Sequence, residues 1–211
     1  MKRRIYLGIE FVLLFFGIPT WIFLDRDFSH PIIVILPALA LIFFLLRRSS
    51  NFEWRELIRW QVPRKVLYIN ALIILLSALL MLTYILLFDR ESLFNLPRSN
   101  IRIYLALCLF YPVFSAFGQE IIYRSFLSRR YPEILKGDWQ FVLASALTFS
   151  YMHIVYYDAV SMILTFIGGL YFARMYQLTR SVLFTSVLHG IYGILIFGVG
   201  LGQYFWLDIP L

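Results

Sequence analysis

Runs of apolar residues near 5–24, 31–46, 66–88, 101–127, 139–156, 159–178 and 181–206 alternate with short segments that hold most of the charge. About 20 helical residues, at roughly 1.5 Å each, cross the ~30 Å hydrocarbon core of a bilayer. The pattern therefore predicts an all-α polytopic membrane protein of about seven transmembrane helices. The 31–46 run is short, which fits a tilted helix or one bounded by snorkelling arginines. Between the second and third runs, the stretch "SSNFEWRELIRWQVPRK" mixes Phe52, Trp54, Leu57, Ile58 and Trp60 with arginines and glutamates. It predicts a helix lying in the membrane interface as an amphipathic connector.

Composition strengthens this picture. The 211 residues are 61% hydrophobic and 15% charged, more apolar than a soluble core of that size requires. The start, "MKRRIYLGIEFVLLFFGIPTWIFLD", is basic and then apolar like a signal peptide. Its apolar part is too long for such a peptide and no small-x-small cleavage site follows, so it reads as a retained first helix. The division expected is residues 1–100, helices and linker covering the rest, and residues 101–211, a bundle that carries the functional site.

The net charge of +7 does not gather on one soluble face, which argues against a nucleic-acid partner. With a cytoplasmic N-terminus, fourteen basic residues fall on the cytoplasmic side, against Arg26, Arg90, Arg98 and Arg102 outside. That bias orients the chain N-terminus in and, with seven spans, C-terminus out. The compact chain and minimal loops point to a bacterial inner membrane. The single cysteine, Cys108, rules out an intramolecular disulfide and reads as a small buried residue.

Polar residues inside apolar spans cost about 2.5–3.5 kcal/mol when charged and so are informative. Glu10, in the first run, reads as a lone acid that stays protonated or reaches the headgroups. In "FGQEIIYRSFL", Gln119, Glu120 and Arg124 sit in the fourth run, and the spacing of Glu120 and Arg124 puts them on one helix face as a pair. His30 falls in a loop, whereas His153 and His189 lie in two further apolar runs. Two imidazoles and a carboxylate on three helices can ligate a zinc-type metal, or activate water without one. Counting from Arg129 and Arg180, Glu120 and His189 lie about 13 Å deep, but His153 lies about 21 Å from Trp139. The three match in depth only if the fifth helix tilts or starts deeper. Pro112, eight residues before Glu120, is expected to kink the fourth helix.

These stretches, Gln119-Glu120-Ile-Ile-Tyr-Arg124, Phe149-Ser-Tyr-Met-His153 and His189-Gly-Ile-Tyr-Gly193, resemble in order the EExxxR, FxxxH and HxxxN motifs of the CPBP family of intramembrane proteases. That group is named for CAAX proteases and bacteriocin-processing enzymes, and the likeness covers roughly residues 101–200. It implies an endopeptidase cutting a membrane-associated protein or peptide, with a glutamate activating water and histidines supporting it. The motif is compatible with a divalent metal such as zinc held by Glu120, His153 and His189, and equally with chemistry that needs none.

Two positions depart from the family pattern: Gln119 replaces the first glutamate, and Gly193 replaces the asparagine. An amide cannot act as a general base, which leaves three readings. Glu120 takes over as base, with His153 and His189 orienting water or metal and Gln119 hydrogen-bonding the oxyanion. The "QE" form marks a subfamily with altered chemistry. Or the chain is an inactive relative, a membrane scaffold or bacteriocin self-immunity protein. A transporter is disfavoured, since no inverted repeat or matching pair of broken helices appears.

Overall fold

The computed structural model of the protein describes residues 1–25, 32–48 and 52–205, and for residues 32–36 the backbone alone. His30 and Arg26 lie outside the described residues. Seven long helices occupy the seven apolar runs: α1 (Lys2–Leu24), α2 (Ile32–Arg47), α3 (Arg64–Phe88), α4 (Ile101–Arg130), α5 (Asp138–Met152), α6 (Ala159–Thr179) and α7 (Val182–Val199). No strand occurs among the described residues. Five of the helices, α1, α3, α4, α6 and α7, are long and apolar enough to cross a membrane. Among the described residues the expected count of seven spans is not confirmed, since α2 and α5 are shorter. α5, expected over 139–156, stops at Met152 and turns into a 3-10 segment at His153–Tyr156. Its buried Ser145, Thr148 and Ser150 face other helices, which lowers its hydropathy without exposing it to lipid.

The helix starts follow from local chemistry. Asn100 accepts from the Ile103 N–H at the head of α4, Asp158 from Val160 and Ser161 at α6, and Ser181 from Phe184 at α7. Each side chain satisfies an amide that the first helical turn leaves without a partner. Two helices widen into π-helical turns next to a proline, α1 at Leu13–Gly17 before Pro19 and α4 at Tyr111–Ala116 around Pro112. Proline removes an amide donor and crowds the preceding turn, and a π turn absorbs the misfit. α4 carries a second π turn at Ile121–Phe126.

One hydrophobic core joins the N-terminal helices to the rest. Leu7 and Phe15 of α1 and Ile42 and Leu46 of α2 bury against Tyr123, Phe126 and Phe149 of α4 and α5. Among these rings Phe15 meets Tyr123, and Tyr123 meets Phe149 edge-on at 5.3 Å. α3, like α4, buries only 6% of its most apolar stretch. It is held to α6 and α7 by the pairs Asn70–Tyr171 and Ser77–Tyr192, and by Ile85 packed on Val199 and Leu201.

The loops gather at two ends. At one, Arg3 pairs with Glu133 at 3.1 Å, Arg129 with Glu56, and Ser181 donates to the Arg59 carbonyl at 2.6 Å. At the other, Gln203 donates to Asp89 at 2.6 Å and Phe94 N–H to the Val199 carbonyl at 3.2 Å. The donors Gln203 and Ser92 hold the Asp89 carboxyl below its usual range.

Three local expectations need correction. The described part of the linker is no interfacial helix: a single 3-10 turn, Trp54–Leu57, precedes a non-helical stretch that runs to Pro63. Trp60 meets Phe184 edge-on and Trp54 stacks on Phe43, each tryptophan keeping about half of its surface exposed. Glu10 is not a lone acid, because Arg130 grips both its oxygens, Nε to Oε1 at 2.8 Å and Nη2 to Oε2 at 2.6 Å, and Tyr131 donates at 2.9 Å. Cys108 is half-buried, since the face of α4 before Pro112 is largely exposed.

Candidate active site

A regular helix separates consecutive side chains by about 100°. Gln119 and Glu120, adjacent in α4, accordingly look into different surroundings. Gln119 lines a cavity of about 680 Å³ between α3, α4, α6 and α7. Glu120 is fully buried and is not among the residues that line that cavity.

Glu120 instead joins two partners. Its Oε2 lies 3.0 Å from Arg124 Nε, a meeting of charges rather than an aligned hydrogen bond, and its Oε1 lies 3.1 Å from His189 Nδ1. Arg124, equally buried, gives Nη1 to Ser145 Oγ at 2.5 Å and to the Tyr123 carbonyl at 3.3 Å, and it rests over the Phe149 ring. Ser145 in turn donates to the Tyr123 carbonyl at 2.7 Å. A buried ion pair survives only when such added polar contacts offset its desolvation.

The contact with His189 sets that ring's tautomer. A carboxylate only accepts, so Nδ1 carries the proton and Nε2 presents a lone pair. The Tyr111 hydroxyl lies 3.0 Å from Nε2 and donates to it. Phe172 stacks on the imidazole at 5.0 Å and Phe149 meets it edge-on at 5.3 Å, fixing its plane. His189 and Tyr111 both line the cavity.

His153 reaches the same cavity from the end of α5. Its Nδ1 donates to the Phe149 carbonyl at 2.7 Å, which leaves Nε2 as the acceptor. Both histidines pack against Phe149, with His153 at 4.9 Å between ring centroids. His153 opens the 3-10 turn that follows α5, and it lines the same cavity as His189 despite the difference in depth read from residue counting. Gln119 also has a partner, donating from Nε2 to Ser115 Oγ at 2.8 Å.

The five expected site residues thus fall into two groups. Glu120, Arg124 and His189 form a buried chain, while Gln119, His153 and His189 look into the cavity. Among the described residues no three His, Cys, Asp or Glu side chains are grouped to hold a metal ion. Glu120 and Tyr111 already engage both nitrogens of His189, and Phe149 engages Nδ1 of His153.

The departure at Gly193 has a structural partner. A Cβ at Gly193 would fall inside the Tyr111 ring, and one at Gly190 would come within 2.9 Å of Pro112. Tyr111 is the residue that motif reading missed. A tyrosine beside a proline in an apolar run carries no signal unless paired with the glycines 79 and 82 residues later.

Residues 101–195 match the family described as type II CAAX prenyl endopeptidase Rce1-like. This segment belongs to that family. It holds Tyr111, Gln119, Glu120, Arg124, His153 and His189. No curated protein and no solved structure matches the chain. The apolar helices and this match make the chain an integral membrane protein, and the match at residues 101–195 supports intramembrane protease activity in general.

Proposed function

We propose that the protein is an intramembrane endopeptidase that hydrolyses a peptide bond of a membrane-associated protein or peptide. The observation that carries this reading is the Glu120–His189 pair at the wall of an apolar cavity. Glu120 orients the ring through Nδ1–H and stabilises the imidazolium that forms, and His189 Nε2 takes the proton from water. Water oxygen bonds to the carbonyl carbon as that proton leaves. The C–N bond then breaks and the amine receives the proton from Nε2. Gln119 offers an amide N–H toward the carbonyl oxygen, and His153 Nε2 accepts from the attacking water and aligns it. Arg124 keeps a positive charge beside Glu120 through every step. No step is routed through a metal.

This assignment moves the base from Glu120 to His189, since a group without access to the cavity cannot reach a substrate water. The cavity's other lining, including Ile73, Leu80, Ile163 and Ile167, suits an apolar substrate segment arriving from the bilayer. Whether that segment carries a prenyl group, as in the family's name, is set by the substrate and not by the catalytic pair. We place the protein in a bacterial inner membrane with its N-terminus cytoplasmic, on the basic-residue bias.

The test compares new protein N-termini in membranes from cells expressing wild-type, Glu120→Gln or His189→Ala protein at equal levels. Cleavages present only with the wild type support the endopeptidase and name its substrate. Identical N-termini in all three would favour a scaffold or self-immunity role instead.

A further inference from the structure

We propose that Tyr111 is a catalytic residue of this site: its hydroxyl caps the His189 base at rest and moves to the substrate's oxyanion when the carbonyl is attacked. The inference rests on His189 being the base, and adds a group that touches the reacting atoms.

The cap is built into the fold. The Tyr111 hydroxyl sits 3.0 Å from His189 Nε2, with the ring nearly perpendicular to the imidazole at 78°. The π turn of α4 begins at Tyr111, so the backbone register changes where this side chain leaves the helix. α7 presents Gly193 to the ring, and a single added carbon there would overlap it. Phe197, one turn further along α7, meets the ring on another side at 6.3 Å. The space that a side chain at 193 would fill is taken by a tyrosine from another helix, and its polar end rests on the catalytic nitrogen.

That placement has a chemical consequence. Nε2 has one lone pair and the phenol has one proton, so the lone pair is not free for water while the hydroxyl donates to it. When a carbonyl enters the cavity, the hydroxyl turns to its oxygen and frees Nε2 at the same moment. The water proton goes to Nε2, the water oxygen bonds to carbon, and Tyr111 donates to the oxyanion without losing its proton. After the C–N bond breaks, Nε2 gives its proton to the amine and Tyr111 returns to the cap. Only water is consumed. The device keeps the base covered until a substrate carbonyl is present, and supplies a donor aimed where charge develops.

Tyr111→Phe removes the hydroxyl and keeps the ring, so packing against Gly193 is retained. The chain has three histidines, and ¹⁵N-histidine labelling in detergent gives three imidazoles to follow. In Tyr111→Phe the His189 Nε2 resonance is expected to move toward that of an unbonded acceptor, while His153 stays in place. On a peptide spanning the cleavage found in membranes, reconstituted in liposomes, kcat is expected to fall about 10²–10³-fold, as for loss of one oxyanion donor. KM should hold within a factor of about three. Gly193→Ala, which displaces the ring with its hydroxyl intact, should move the same resonance.

The outcomes separate the two levels. Cleavage retained by His189→Ala, or absent from wild type, rejects the endopeptidase reading itself. Cleavage lost in His189→Ala but unchanged in Tyr111→Phe rejects the catalytic role of Tyr111 alone. An unmoved His189 resonance in Tyr111→Phe rejects the cap.

Discussion

Two of the glutamate–arginine pairs, Glu10–Arg130 and Glu120–Arg124, are built differently. Glu10 and Arg130 meet near the basic end, where their side chains retain 12% and 26% exposure. They form two aligned hydrogen bonds across α1 and α4, with Tyr131 as a third donor. Glu120 and Arg124 are wholly buried within one helix, and their contact is not an aligned hydrogen bond. The first pair has the geometry of a fastener, with paired donors and acceptors spent on each other. The second spends its best acceptor on His189 and its best donor on Ser145. A buried pair that turns its hydrogen-bonding capacity away from itself holds a third group in place.

The sharpest way to break this comparison is to remove one partner from each pair. Arg124→Ala leaves Glu120 as an uncompensated buried charge, and the expected loss is about 3–5 kcal/mol. Thermal unfolding in detergent would show it, as most of the protein's stability margin or as failure to accumulate folded protein. Glu120→Gln likewise leaves buried Arg124 without its counter-charge, and its distinguishing effect is on function. The amide keeps the shape but no longer stabilises an imidazolium, and cleavage is expected to fall about 10⁴-fold, as when a triad aspartate becomes asparagine. The N-terminus comparison, made quantitative on the identified substrate, measures it.

Ser145→Ala sharpens the contrast from outside the pair. It removes the shorter of the two contacts of Arg124 Nη1 and the hydroxyl that donates to the Tyr123 carbonyl, at about 1–3 kcal/mol. Unfolding temperature should drop while the His189 resonances hold. The smallest effect is expected from Glu10→Gln, which loses charge in a partly exposed pair but keeps one acceptor, at about 1 kcal/mol. Cleavage by Glu10→Gln should equal wild type. A Glu10 variant as inactive as Glu120→Gln would erase the distinction between the two pairs.

Much of the helical pattern is legible in the order of apolar and polar residues, and particular segments show why. The long helices follow from apolar runs because lipid admits only backbones that satisfy their own hydrogen bonds. α3 is the clearest instance: it is the most apolar of the five, and one face packs on α6 and α7 while the rest stays exposed. α5 is the opposite. It hides serines and a threonine against its neighbours, so composition overstates how far it continues beyond Met152. The linker departs from expectation in its backbone: a 3-10 turn at Trp54–Leu57 stands where a helix was expected, and Trp54 and Trp60 share their surface between protein rings and the exterior.

For the site, the amino-acid sequence alone determined which residues had to matter. Glu120, Arg124, His153 and His189 are polar groups in apolar runs, and no fold could leave them idle at low cost. It also determined that Gln119 cannot be a base. The tertiary structure decided what each one does. Whether Glu120 faces water or a histidine depends on the helix rotation set by two π turns, and whether Gly193 is a loss or a vacancy filled by Tyr111 depends on how closely α7 approaches α4. Side-chain chemistry is local and survives in one dimension. Access and pairing are distances between segments far apart in the chain, and only packing sets them.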